Sequence, residues 1–237
     1  MINRRKSLKR TLSVFGLAVT AAFATAALAA SAASALSYER SDGKFPASHN
    51  LDSKNLVTWN NSKDPSFYGT CSGYKAVSGQ QGPTLSGVAI FETGTSGRAQ
   101  LQFEDCKHPY YNTCTSSGMP AGTIKTSILN MKPVYLDAAK TQFGLLLSPA
   151  SGSVFASMTC NFGIFKSTWN GSLIVPIKSP ALNVSASNFQ LTFDGPHQIE
   201  GAGGEYKLYE NGGFQPVELR VSSLNMSAPG FTGKFIP

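Results

Sequence analysis

GRAQLQFED, residues 97–105, alternates strictly. Ala99, Leu101 and Phe103 fall on one side of an extended chain, and Gln100, Gln102 and Glu104 on the other. Successive side chains of a strand point to opposite faces, so this pattern describes a strand with one face in a core and one in water. SNFQLTFD (187–194) repeats it with Phe189, Leu191 and Phe193, and QPVELRVSS (215–223) with Val217, Leu219 and Val221 against Glu218, Arg220 and Ser222. TIKTSILN (123–130), QFGLLLS (142–148), VFASMTC (154–160) and GSLIVPI (171–177) are further short runs bounded by Gly, Pro, Ser or Asn. After residue 35 no window of about a dozen residues sustains a 3.6-residue period without a Gly or Pro. YLDAAKTQF (135–143) is the best exception, and one turn is all it could form. The expectation is an all-β protein of ten to thirteen antiparallel strands, a sandwich or a barrel, with a jelly roll as one form.

The first thirty-five residues stand apart. MINRRKSLKR is basic, TLSVFGLAVTAAFATAALAA is apolar and SAASA supplies small residues, the order of a secretory signal peptide. Cleavage is expected after Ala35, with Ala29 as a second option. An uncleaved anchor is the competing reading, and NRRKSLK also resembles a twin-arginine export signal. The polar stretch 36–54 reads as an N-terminal arm or linker, and 55–237 as a single β domain, with the GAGG break after Gly201 allowing a small C-terminal piece.

Removing the leader changes the charge. The chain has 20 basic and 13 acidic residues, but five of the bases and none of the acids lie in residues 1–35. The remainder holds 15 bases against 13 acids, a net charge of +2. No Lys/Arg cluster is left to neutralise a phosphate backbone, so a nucleic-acid partner is not expected. Neither is a membrane span after cleavage, because no second apolar run approaches the length of one.

Four cysteines in an exported chain read first as two disulfides. If VFASMTC is a strand, Cys160 shares a face with Val154, Ala156 and Met158. If AQLQFEDC stays extended, Cys106 lies with Gln102 and Glu104 on the polar face. That parity separates Cys106 from Cys160. It predicts Cys106–Cys114 closing the loop CKHPYYNTC (106–114), and Cys71–Cys160. A zinc site on Cys106, His108 and Cys114 lacks the ligand spacing of structural zinc motifs, so no metal is expected.

CSG (71–73), FEDCK (103–107), CTSSG (114–118), AGTIKT (121–126), FGLLLSP (143–149), VFASMTC (154–160) and NGSLI (170–174) form an ordered series. Over about residues 70–195 it resembles uncharacterised secreted β-rich proteins of actinomycete-type, high-GC Gram-positive bacteria. The resemblance implies export and a β-rich fold, and brings no established activity or catalytic residue. The chain departs from that pattern at FGIFKSTW (162–169) and VPIK (175–178).

Catalytic signatures are missing: there is no G-x-S-x-G, no H-E-x-x-H, no phosphate-binding glycine loop and no D-x-D-x-D-G calcium loop. His49 in the arm and His108 in the loop are expected to face solvent. His197 follows the turn signature Asp194-Gly-Pro. Paired carboxylates could serve a glycosidase, with Glu104, Asp105, Asp137 and Glu205 as candidates. A binding module needs only an aromatic platform and a few polar groups, and Trp59, Trp169, Tyr110 and Tyr111 are its candidates. The expected function is therefore a non-catalytic, secreted binding or structural domain without a cofactor, facing a cell-wall glycan or another extracellular protein. A secreted glycan hydrolase and an inhibitor-like module presenting the 106–114 loop are the alternatives.

Overall fold

The computed structural model of the protein describes residues 35–61, 68–73, 82–194, 208–210 and 216–237, and these fold as all-β structure. The first strands are β1 (Ser37–Arg40), β2 (Ala47–Ser53), β3 (Val57–Asn61), β4 (Tyr68–Cys71), β5 (Leu85–Phe91) and β6 (Gly97–Phe103). The middle of the chain supplies β7 (Cys106–His108), β8 (Asn112–Thr115), β9 (Ile124–Lys125), β10 (Leu129–Tyr135), β11 (Phe143–Pro149) and β12 (Val154–Cys160). A 3-10 turn, Asn161–Gly163, leads to β13 (Phe165–Gly171), β14 (Leu173–Ser179), β15 (Asn188–Asp194), β16 (Leu208–Glu210), β17 (Pro216–Ser227) and β18 (Gly233–Ile236). These eighteen strands among the described residues exceed the ten to thirteen expected, because several are only two to four residues long and fall below the length at which alternation can be read. YLDAAKTQF spans the end of β10, a turn and the start of β11.

The sheet closes on itself. β2, β5, β6, β10, β11, β14, β15 and β17 pair in that order, and β17 pairs back onto β2, giving an eight-stranded antiparallel barrel. Between sandwich and barrel, the barrel is what forms. β17 then continues into a second ring: β3, β4, β7, β8, β12, β13 and β16 follow in order, and both β3 and β16 pair with β17. One twelve-residue strand therefore serves both rings, its first half in the second and its second half in the first.

A bulge makes this sharing possible. Leu191 and Phe193 of β15 face Leu224 and Val221 of β17, so β17 carries an extra residue there. Inward parity shifts accordingly, from Val217, Leu219 and Val221 to Leu224 and Met226, all buried.

Eight strands enclose a space just wide enough for side chains. Leu51, Leu101, Met131, Leu145, Val175 and Phe193 are among those that fill the first ring, leaving about 10 Å³ among them. That is no more than the space of one water, so this barrel is a packed core without room for a ligand. The second ring is filled by Trp59 and Trp169, each 2% exposed and with ring centroids 5.7 Å apart. Phe103 lies 6.4 Å from Trp169 and joins the two cores.

The segment 36–54, expected as a polar arm, is built into the fold. β2 pairs along its whole length with β5 and also with β17, and its burial alternates strictly. In ASHNLDS the inward positions are Ala47, His49, Leu51 and Ser53; a histidine and a serine at core positions hid the alternation. β1 and β18 form a separate two-stranded ribbon. Tyr38 of that ribbon stacks on Phe91 at 4.2 Å and lies beside Phe235 at 5.3 Å, closing one end of the first ring with aromatic side chains. The strands after Gly201 belong to both rings and to the ribbon, so no separate C-terminal piece exists among the described residues.

Candidate functional site

The stretch Cys106–Cys114 folds as a hairpin of β7 and β8, with Lys107 opposite Thr113 and His108 opposite Asn112. Its cysteines do not bond to each other. Cys71 is bonded to Cys106 and Cys114 to Cys160, which corrects the expected pairing. Two local causes explain the difference. The strand through GRAQLQF ends at Phe103, and Asp105 adopts a left-handed φ of 51°, so the chain turns and Cys106 enters the core, 0% exposed. The second cause is registry: Cys71 faces Cys106, and Cys114 faces Cys160, in directly paired strands with Cα atoms 3.9 and 4.0 Å apart. Extending the hairpin register by one residue sets Cys106 against Cys114 as well. The four cysteines thus form one row across β4, β7, β8 and β12. A Cys106–Cys114 bond would strand Cys71 and Cys160 three strand spacings apart, roughly 14 Å, beyond the reach of a disulfide. Only the observed pairing bonds all four.

Both expected aromatic platforms of tryptophan are core residues instead. Trp59 and Trp169 point into the second ring, because each occupies the inward parity of its strand. The two described histidines are also buried, against expectation. His49 is 0% exposed. Its Nδ1 lies 3.3 Å from the Ala47 carbonyl and its Nε2 2.9 Å from the Tyr38 hydroxyl, and burial lowers its pKa to about 4. His108 is 2% exposed, with the backbone N–H of Tyr110 donating to its Nδ1 at 3.2 Å; burial lowers its pKa too. Both imidazoles are therefore held towards the neutral form by lost hydration. His197 and Glu205 lie outside the described residues.

The remaining carboxylates are engaged in local structure. Glu104 accepts from Gln102 at 2.5 Å and from Thr123 at 3.0 Å. Asp105 accepts from the Ser72 hydroxyl at 2.6 Å and pairs with Lys107 at 3.0 Å. Asp137 sits apart in the β10–β11 turn. It accepts from the Thr141 hydroxyl and from the backbone N–H groups of Thr141 (2.8 Å) and Gln142 (3.0 Å), which lower its pKa. Glu104 and Asp105 are sequence neighbours and Asp137 is remote, so these three place no pair across a cleft. Among the described residues no group of three or more His, Cys, Asp or Glu is arranged to hold a metal ion, and no helix is long and apolar enough to cross a membrane.

What the hairpin presents outward is different in character. Cys106, His108 and Cys114 point inward, so Lys107, Thr113 and Thr115 point outward. Tyr111 is stacked on Phe165 at 4.8 Å with the planes 8° apart, and the His108 ring lies 4.8 Å from it. Tyr110, beside it at the tip, is 69% exposed. On one side of β8 lies an open groove of about 490 Å³ lined by Tyr68, Thr70, Lys107, His108, Pro109, Asn112 and Thr113. On the other side lies a second groove of about 390 Å³, lined by Asn112, Thr113, Thr115, Met119, Ala121, Thr159 and Asn161. Asn112 and Thr113 belong to both grooves. Tyr68, 43% exposed, flanks the first groove as a second accessible aromatic ring. Sequence reasoning missed Tyr68, Asn112, Thr113 and Thr159; the outward parity of YGTC, NTCT and SMTC was the available signal for Tyr68, Thr113 and Thr159, while Asn112 shares the parity of inward Cys114 and had none. The surface offers hydroxyls, amides, one ammonium and two aromatic rings, and it is stapled beneath by both disulfides.

No family model, curated protein or solved structure matches this chain. Fold and surface together define a class: a disulfide-bonded all-β protein whose first barrel is packed solid and whose second ring carries an open, polar, aromatic-flanked surface. The disulfides fit an oxidising compartment.

Proposed function

We propose that this is a secreted, non-catalytic binding domain that acts at or near the cell envelope and engages cell-wall polysaccharide on the outer face of its second ring. The observation that carries this reading is the pair of adjoining grooves across β4, β7, β8 and β12, which share Asn112 and Thr113, with Tyr68 lining the first and Tyr110 exposed at the tip of the same hairpin. Sugars present hydroxyls together with apolar C–H faces. Hydroxyl and amide side chains match the first, and exposed tyrosine rings match the second. The packed interior of the first ring directs any ligand to an outer surface. Export rests on the leader-like residues 1–35 and on two disulfides. The inhibitor-like alternative loses its self-closed loop, since both cysteines of that loop are bonded to neighbouring strands.

The test is affinity electrophoresis of the exported protein in gels containing cell-wall polysaccharides. Retardation in at least one polymer is expected, with loss of most of it in Tyr110→Ala and Tyr68→Ala. Absence of retardation in every polymer, or retardation indifferent to both substitutions, overturns the reading.

A further inference from the structure

The six strands that run consecutively round the second ring, β3, β4, β7, β8, β12 and β13, contain no aspartate or glutamate. Their only charged residues are Lys107 and Lys166, both exposed. Many of the other outward positions carry hydroxyls, among them Thr58, Thr70, Thr113, Thr115, Ser157 and Thr159, with Asn60 and Asn170 adding amides. Strand pairing arranges these residues in rows. Thr58 faces Thr70, Thr70 faces Lys107 and Lys107 faces Thr113. Two residues further along β8, Thr115 faces Thr159 and Thr159 faces Lys166. The two ammonium groups thus belong to strands three spacings apart, roughly 14 Å across the sheet, with threonine hydroxyls and the shared groove residues between them.

We propose that the polysaccharide bound here is anionic, bearing phosphate or carboxylate groups, and lies across β7, β8, β12 and β13 with negative charges at Lys107 and Lys166. This rests on the glycan-binding reading above and adds the charge of the ligand. Among the described residues these six strands carry two cations and no acid, so a polymer with acidic groups finds a cation at each end of a track rich in hydroxyls, which a neutral glycan would leave unused. The spacing favours a polymer segment over a single sugar. Among the described residues the acid that meets this surface is Asp105, which precedes β7 and holds the Lys107 ammonium at 3.0 Å. An exposed ion pair of this kind is worth only about 0–1 kcal/mol, so the ammonium turns to a polyanion at little cost. Glu104, the next acid, is occupied by Gln102 and Thr123.

The experiment titrates the exported protein with a phosphate-bearing polymer, poly(glycerol phosphate), and a carboxylate-bearing one, polygalacturonate. Methyl-esterified polygalacturonate is the neutral counterpart and polyglutamate a polyanion without sugar. Each is run at low and at physiological salt, for the native chain and for Lys107→Gln/Lys166→Gln. At least tenfold tighter binding of one charged glycan polymer than of neutral ester and polyglutamate is expected. The double variant should lose that margin, and salt should weaken the native binding. The two charged arms tell a phosphate from a carboxylate source. Equal binding of the neutral ester, or an unaltered double variant, overturns the charge assignment and leaves glycan binding standing. Equal binding of polyglutamate overturns it as non-specific attraction. No binding of any glycan polymer removes both readings.

Discussion

The hydroxyl of Tyr38 donates to Nε2 of His49 across 2.9 Å inside an aromatic shell of Phe91, Phe189 and Phe231. The Ala47 carbonyl faces Nδ1, so the imidazole is neutral with its proton on Nδ1 and its acceptor turned to the phenol. The pair ties the β1–β18 ribbon to the first barrel.

This pair makes stability depend on pH at both ends. His49 titrates near 6.5 when unfolded and at about 4 in the fold, because burial opposes its charged form. The unfolded chain therefore takes up a proton first as pH falls. Its contribution is whole above pH 6.5 and declines from there towards pH 4, by about 3 kcal/mol. Burial raises the Tyr38 pKa, so the unfolded phenol ionises first and stability falls again above pH 10. Urea midpoints across this range, for the native chain and His49→Phe, check both limbs. The variant should lose most of the acid limb.

The cysteine row predicts which bonds can form. Peptide mapping without reduction should give Cys71–Cys106 and Cys114–Cys160. The chain-entropy account assigns each about 4 kcal/mol for the 35- and 46-residue separations. In Cys71→Ser/Cys160→Ser, the remaining Cys106 and Cys114 face each other across the hairpin. That variant should form the loop disulfide the native topology forbids.

Gly69 lies under the indole of Trp59 on the neighbouring strand, where any Cβ would collide with the six-membered ring. Gly69→Ala should cost about 1–3 kcal/mol through overpacking, and Trp59→Ala about 3–5 kcal/mol. The double variant should cost less than the sum, since removing the indole opens the space the methyl needs. Denaturant titration of all three completes the cycle.

Two adjacent tyrosines should behave differently. Tyr110 is 69% exposed, so Tyr110→Ala should leave the unfolding midpoint within about 0.5 kcal/mol of native while weakening polysaccharide retention. Tyr111 is stacked on Phe165 and lies beside the tilted His108 ring, so Tyr111→Ala should destabilise by about 1–3 kcal/mol. Thermal unfolding and affinity electrophoresis on the same samples separate the two effects.

Alternation over Ala99, Leu101 and Phe103, and again over Phe189, Leu191 and Phe193, was legible because a strand's facing is a local property with a period of two. The same rule erred wherever the chain broke its own period. Asp105 turned Cys106 inward, the bulge in β17 reset Val221 to Leu224, and His49 occupied a core position that a polar residue disguised. The candidate surface was partly visible, in that the 106–114 loop and Tyr110 were candidates for contact with a partner and Tyr110 proved exposed. Its neighbours Tyr68, Thr70 and Thr159 come from strands far away in the chain, and no short-range pattern joins them.

By itself the sequence determined strand content, the facing of the longer strands, and the core role of most apolar residues, because each follows from neighbours along one chain. Closure into two rings sharing β17, the row of four cysteines and their pairing, and the grooves either side of β8 were decided only by tertiary structure. Those depend on which strand lies beside which. That is settled by the register in which distant segments bury their faces together, and no single segment carries that information.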